Sequence, residues 1–244
     1  MKYETASVTH IGHVRAVNQD RTLVCAGRKG SYNAALLVIA DGMGGLSDGE
    51  KASGAAVDAL MSWWDAFEGA EMKSVSEQLD AAIYDVHRQI YYQASEKGRR
   101  CGSTLSLVYL QDEQCLLKQI GDSRVYLVDE TGLTQLTVDQ NWYNQVTASG
   151  QLPPEEAALN HRKGALVNAL GASDELNIET KCLPARRSTA YLLCSDGFYH
   201  MAPLQEIAGR LRRQAPQKIL DRLLAAVLEG PASDNASAVL CRLA

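Results

Sequence analysis

The chain has 244 residues, 46% of them hydrophobic, and a formal net charge of -5. That length permits one large domain or two small ones with a full core, and the acidic balance leaves no basic footprint for nucleic acid. No apolar stretch reaches the ~20 residues of a membrane span, and the opening MKYETASVTHIGHVR lacks the apolar region of a secretion signal, so the expected location is the cytoplasm.

Residues 4–9 and 21–26 read as strands flanking a loop, and AALLVIAD at 34–41 is a stronger strand signal. Residues 48–68 follow as a helix with an apolar stripe at Ala52, Ala55, Ala56, Ala59, Leu60 and Trp63. A second helix fits 74–96, where Val75, Leu79, Ile83, Val86 and Ile90 share a face and Gly98 supplies a stop. From 102 to 137 strands dominate: STLSLVYL, CLLKQIG, SRVYLV and LTQL follow one another at meander spacing, with QDEQ and DETG as turns. Residues 139–164 are polar and irregular, with helical pieces near 141–149 and after Pro153-Pro154, and read as a functional flap. Strands return at 176–183 and 189–196, a helical piece follows Pro203, an amphipathic helix covers 216–229, and ASAVLCRL closes the chain as a strand. This order lacks regular βαβ alternation and suits antiparallel sheets with helices layered outside. The six cysteines form no C-x-x-C pair and sit mostly in apolar runs, so they are expected to be reduced and structural.

Two apolar runs stop on Asp-Gly pairs, Asp41-Gly42 and Asp196-Gly197, and a third ends in Gly121-Asp122. Asp20 and Asp234 also fall at a strand edge or a turn. Each pair alone reads as an ordinary turn. Together they place carboxylates at the ends of buried strands, where crowded negative charge calls for a cation. Hard oxygen ligands suit Mg²⁺ or Mn²⁺, and Gly42 has no Cβ to keep its carbonyl from an ion. Arg15 reads either as a solvated loop residue or as a guanidinium able to grip a phosphate through two parallel hydrogen bonds.

These residues spell a pattern. G-x-V-R-x-x-N-Q-D at 12–20, A-D-G-M-G-G at 40–45, G-E-x-A-S at 49–53, G-S-T at 102–104 and G-D-S-R at 121–124 occur in order. L-T-x-D at 136–139, G-Q-L-P-P-E-E-A at 150–157, A-L-G at 169–171, S-D-G at 195–197 and D-N-A-S at 234–237 complete it. The chain resembles the metal-dependent protein phosphatases of the 2C type in their compact bacterial form, nearly end to end.

The resemblance implies an α+β fold, a four-layer α-β-β-α sandwich with two central antiparallel sheets, in one domain over 1–244. It implies two Mg²⁺ or Mn²⁺ ions, with Asp41 bridging them, Gly42 offering its carbonyl to one, and Asp196 and Asp234 holding the other. Asp20 would act through metal-bound waters, Asp122 matches the ligand of a third, weaker ion, and Arg15 would bind the substrate phosphate. A hydroxide bridging the ions would attack phosphoserine or phosphothreonine directly. No cysteine opens a C-x₅-R loop, so a phosphocysteine route is not expected. Expected partners are phosphorylated proteins and, by family habit, a Ser/Thr kinase, with the enzyme a monomer. The alternatives are a catalytically silent phosphoprotein-binding module of the same fold and a different metal hydrolase acting on nucleic acid or small phosphoesters.

The chain also departs from the pattern. Met43 stands where eukaryotic relatives place a proposed acid, Leu46 where a His commonly follows D-G-M-G-G, Gln140-Asn141 where His-Ser is usual, and Asn168 where an Arg is usual. Among His10, His13, His87, His161 and His200, none is expected to act directly in catalysis.

Overall fold

The computed structural model describes residues 1–44, 48–96, 98–211 and 213–244. Position 46, flagged above as a departure, lies outside the described residues, as does the last glycine of A-D-G-M-G-G.

Among the described residues, eleven strands form two sheets. The first runs in the order β1 (Tyr3–His10), β11 (Ala236–Leu243), β10 (Ala190–Cys194), β7 (Arg124–Val128) and β8 (Leu133–Gln135). The second runs β2 (Asp20–Lys29), β3 (Tyr32–Gly44), β5 (Leu105–Gln111), β6 (Gln114–Ile120) and β9 (Glu179–Pro184), with β4 (Cys101–Ser103) paired to the end of β3. All pairings are antiparallel.

Alternation along the strands builds the layers, because successive side chains point to opposite faces. On β3, Ala34, Leu36, Val38 and Ala40 pack under α1 (Asp48–Ala66) and α2 (Met72–Glu96). Ala35, Leu37 and Ile39 face the other way, against Tyr191 and Leu193 of β10 and Val239 of β11. The outer face of the first sheet, including Leu192, Cys194, Ala238 and Leu240, is covered by α5 (Asp196–Tyr199), α6 (Ile207–Leu211) and α7 (Pro216–Glu229). The result is the four-layer α-β-β-α sandwich. Segment 139–164 contributes α3 (Trp142–Ala148) and α4 (Pro154–Leu159) outside these layers. Among the described residues no helix is long and apolar enough to cross a membrane.

Four expectations change. The strands between 102 and 137 are not one meander: β6 lies in the second sheet and β7 in the first, so Gly121-Asp122 crosses between sheets. Strand β3 does not stop at Asp41, because β4 pairs with Gly42–Gly44 and extends it. The strand before Asp196 ends at Cys194. Ser195 stays extended, and its carbonyl accepts the Phe198 and Tyr199 N–H groups at 3.1 Å, so Asp196 opens a helical turn. On α1 the buried stripe is rotated toward Val57 and Trp64, with Ala55, Ala59 and Trp63 at its margin. Cys115, Cys194 and Cys241 are buried free thiols, whereas Cys182 is exposed on edge strand β9.

Candidate functional site

Asp41 continues the odd-numbered series of β3 and therefore emerges between the two sheets, at their rim. Asp20 is its direct partner across β2 and β3, so the two side chains share that face. From the opposite sheet comes Ser195, which follows Leu193 on the inward series of β10 and donates its Oγ–H to Asp20 Oδ2 at 2.7 Å. Asp196 is the next residue, and Asp234 precedes β11 beside it. A Cβ on Gly197 would collide with the Asn235 carbonyl, which shows how tightly these two segments meet. Asp122 arrives on the turn that crosses between sheets. Asp41, Asp122, Asp196, Asp234, Gly42 and Arg15 thus line one cleft of about 280 Å³. Asp20 stands behind it, 1% exposed.

The carboxylates perturb one another. Burial drives Asp41 well above the usual carboxylate range, and the charges of Asp20, Asp196, Asp122 and Asp234 push it further. Burial raises Asp122 to about 7, with Asp196 and Asp139 adding to the effect. Burial raises Asp20 to about 6 against the hydrogen bonds of Ser237 and Ser195. Asp196 also rises, through burial and the charge of Asp234. Asp234 is held differently: Oδ2 accepts from Arg15 Nη2 at 2.6 Å and Oδ1 from the Asn235 N–H at 2.8 Å.

Whether these residues fit divalent ions is answered by the donors themselves. Among the described residues, no three His, Cys, Asp or Glu side chains converge into a ready-made cage. Yet every donor is a hard oxygen, and among the described residues Asp20 Oδ1 is buried with no hydrogen-bond partner and the clustered charges lack a buried cation. Gly42 is packed so closely that a Cβ would run into the Gly49 carbonyl. The set fits Mg²⁺ or Mn²⁺.

Several supporting residues carried no assigned role in the sequence. Thr104 Oγ1 accepts the Asp41 N–H at 2.9 Å, while its own N–H donates to the Asp41 carbonyl at 2.9 Å. Asn235 accepts the Gln19 N–H at 2.9 Å and donates to the carbonyls of Ile11 at 2.8 Å and Val17 at 3.2 Å, stitching the Arg15 loop to β11. Both stand inside sequence motifs, Thr104 in G-S-T and Asn235 in D-N-A-S, which assign them no role. Arg124 forms a two-pronged pair with Asp139 (Nε to Oδ1 2.9 Å, Nη2 to Oδ2 2.7 Å) and lies 3.9 Å over the Tyr199 ring. It ties the root of segment 139–164 to α5.

The departures have structural partners. Gln140 clamps Gly121 from both sides: its Oε1 accepts the Gly121 N–H at 2.8 Å and its N–H donates to the Gly121 carbonyl at 3.0 Å. The same Oε1 accepts from Asn168 Nδ2 at 2.6 Å, so the two unusual residues contact each other. Asn141 caps α3 by accepting the Asn144 N–H at 2.9 Å. Met43 lines the cleft and offers no proton. His10 accepts the Gly12 N–H through Nδ1 at 3.0 Å, and His13 Nε2 bonds the Leu228 carbonyl at 2.9 Å. His161 is exposed. His200 lies in a groove of about 630 Å³ that shares Asp122, Gly164 and Asp196 with the cleft and is walled by Tyr143 and Asn144.

Comparison with known proteins places this geometry. The family model described as protein phosphatase 2C matches residues 9–240. The serine/threonine phosphatase stp of Listeria monocytogenes serotype 4b is 31% identical over 207 residues, covering 84% of this chain and 81% of that protein. The S. agalactiae serine/threonine phosphatase has the same fold, with a TM-score of 0.90 at 24% identity over 100% of both chains. The catalytic domain of the phosphatase PstP, solved in complex with two manganese ions, superposes at a TM-score of 0.80 with 30% identity, over 98% of this chain and 97% of that one.

Two outcomes are expected. A carboxyl that titrates near 7 when folded and near ~3.9 unfolded leaves the native state with the extra proton between those values, so stability falls as pH rises across that window. Thermal melts of protein kept in EDTA should therefore show a lower midpoint at about pH 7 than at about pH 5, and Asp122→Asn should flatten the slope. Separately, a double-mutant cycle on Gln140→Ala and Asn168→Ala, read by urea unfolding, should give a coupling of about 0.5–3 kcal/mol; additivity would mean the pair does not act as a unit.

Proposed function

The chain belongs to the protein phosphatase 2C family, and on that premise we propose that it hydrolyses phosphoserine and phosphothreonine in proteins with two divalent ions at the Asp41 cluster. The observation that carries this reading is the convergence of Asp41, Asp122, Asp196 and Asp234 with Arg15 in one cleft. Asp41 would serve both ions, the Gly42 carbonyl one of them and Asp196 and Asp234 the other, with Asp20 acting through bound water. Asp122 would serve a third ion. Bound there, Mg²⁺ or Mn²⁺ supplies Lewis acidity and a water deprotonated at neutral pH.

The chain's own residues do the rest. Arg15 is about half exposed and pairs with Asp234. Exposed pairs of this kind are worth about 0–1 kcal/mol, so an incoming phosphate can take over the guanidinium. Arg15 would then orient the phosphoryl oxygens while keeping its attraction to the cluster. Asp20 and Ser195 fix the floor of the cleft from opposite sheets. The protein segment flanking the phosphorylated residue would lie in the groove of about 630 Å³ that opens from Asp122 and Asp196. Direct transfer to water agrees with the absence of a C-x₅-R cysteine loop. Because kinases create such phosphoresidues, the enzyme would oppose a bacterial serine/threonine kinase, acting on it or its targets.

The test is hydrolysis of a phosphothreonine peptide with Mn²⁺. EDTA should abolish turnover, and Asp41→Asn should lower kcat by about 10²-fold or more. Arg15→Ala should lower kcat/KM by about 10–100-fold, as loss of a charged hydrogen bond predicts. Activity that survives both chelation and Asp41→Asn would refute the metal-dependent reading.

A further inference from the structure

His87 sits on the buried face of α2, 2% exposed and outside the lining of the cleft. Its Nδ1 accepts the N–H of Gly171 at 3.1 Å, a bond that assigns the ring proton to Nε2. Burial lowers the pKa of the ring and so favours the neutral form this bond requires. Gly171 has a φ of +71°, and a Cβ there would strike Ile90, so this turn is pressed against α2.

The next residue back, Leu170, exchanges both backbone hydrogen bonds with Ser103: Ser103 N–H to Leu170 O at 3.1 Å and Leu170 N–H to Ser103 O at 2.8 Å. Ser103 is the register partner of Gly42 across β3 and β4, and its Oγ lies within donor reach of both the Asp41 carbonyl at 3.1 Å and the Thr104 carbonyl at 2.8 Å. A continuous series of hydrogen bonds thus runs from the helix layer to the backbone of the central carboxylate. Without an acceptor at His87, the buried Gly171 N–H would be left unpaired, and the turn would shift to satisfy it.

We infer that His87 is a positioning residue for Asp41, acting through Gly171, Leu170 and Ser103. The inference rests on the reading of Asp41 as an ion ligand. It assigns His87 no contact with substrate or ion. What matters is an acceptor at the Nδ1 position, which the shorter Asn side chain can supply through Oδ1 and Gln cannot.

The experiment compares His87→Leu, His87→Asn and His87→Gln with the wild type in the full chain. Mn²⁺ affinity is read by calorimetry, amide exchange at residues 36–44 and 101–104 by mass spectrometry, and folding by thermal melting. His87→Leu and His87→Gln should bind Mn²⁺ about threefold to thirtyfold more weakly, with faster exchange at 36–44, and His87→Asn should restore both. If His87→Leu does not fold, the comparison of Asn with Gln decides. Wild-type affinity and exchange in the Gln variant, or equal impairment in Asn and Gln, would overturn the inference. A wild type that binds no Mn²⁺ would remove the ion centre itself, while the exchange data would still decide whether His87 braces Asp41.

Discussion

Five carboxylates held at one rim between two apolar sheets set the terms for everything around them. Burial raises the pKa of Asp41, Asp20, Asp122 and Asp196, and the like charges clustered around them add to the effect. A protein gains nothing in stability from such a cluster. The architecture therefore has to force the groups together: Asp20 opposite Asp41 by strand register, Asp196 by the turn after β10, and Asp234 by the approach to β11. The relief available is a divalent cation, which turns mutual repulsion into shared attraction.

The forcing is done by backbone and neutral side chains. Thr104 and Ser103 grip both sides of the Asp41 peptide. Ser195 reaches across from the other sheet to Asp20, and Asn235 joins the Arg15 loop to the strand behind Asp234. None of these residues adds charge, so the cluster keeps its full negative field while its geometry is fixed. Arg15 lines the cleft and pairs with Asp234 while about half exposed, which on the proposed reading would let it exchange Asp234 for phosphate. Farther out, Arg124 joins β7, α5 and segment 139–164 at one point.

Much of this was legible before any coordinates. The continuous apolar run ALLVIA and the helical stripe of 74–96 place those elements, and the ordered motifs bring Asp20, Asp41, Asp122, Asp196, Asp234 and Arg15 to one site. Connections between sheets were not legible: nothing in GDS distinguishes a hairpin from a crossing, because register is decided by which face finds a partner. The same limit hid the extension of β3 past Asp41, which depends on β4 from a distant part of the chain. The matching of Gln140 with Asn168 was also hidden, since each looked like a separate departure until their side chains met over Gly121.

The central claim is that the carboxylate rim is a divalent-ion centre. Calorimetric titration of Mn²⁺ into the intact chain, repeated in buffers of different ionisation enthalpy, tests it most directly. The account predicts saturable binding of two ions per chain with release of protons from the raised carboxyls. A folded chain that shows no saturable binding would contradict it.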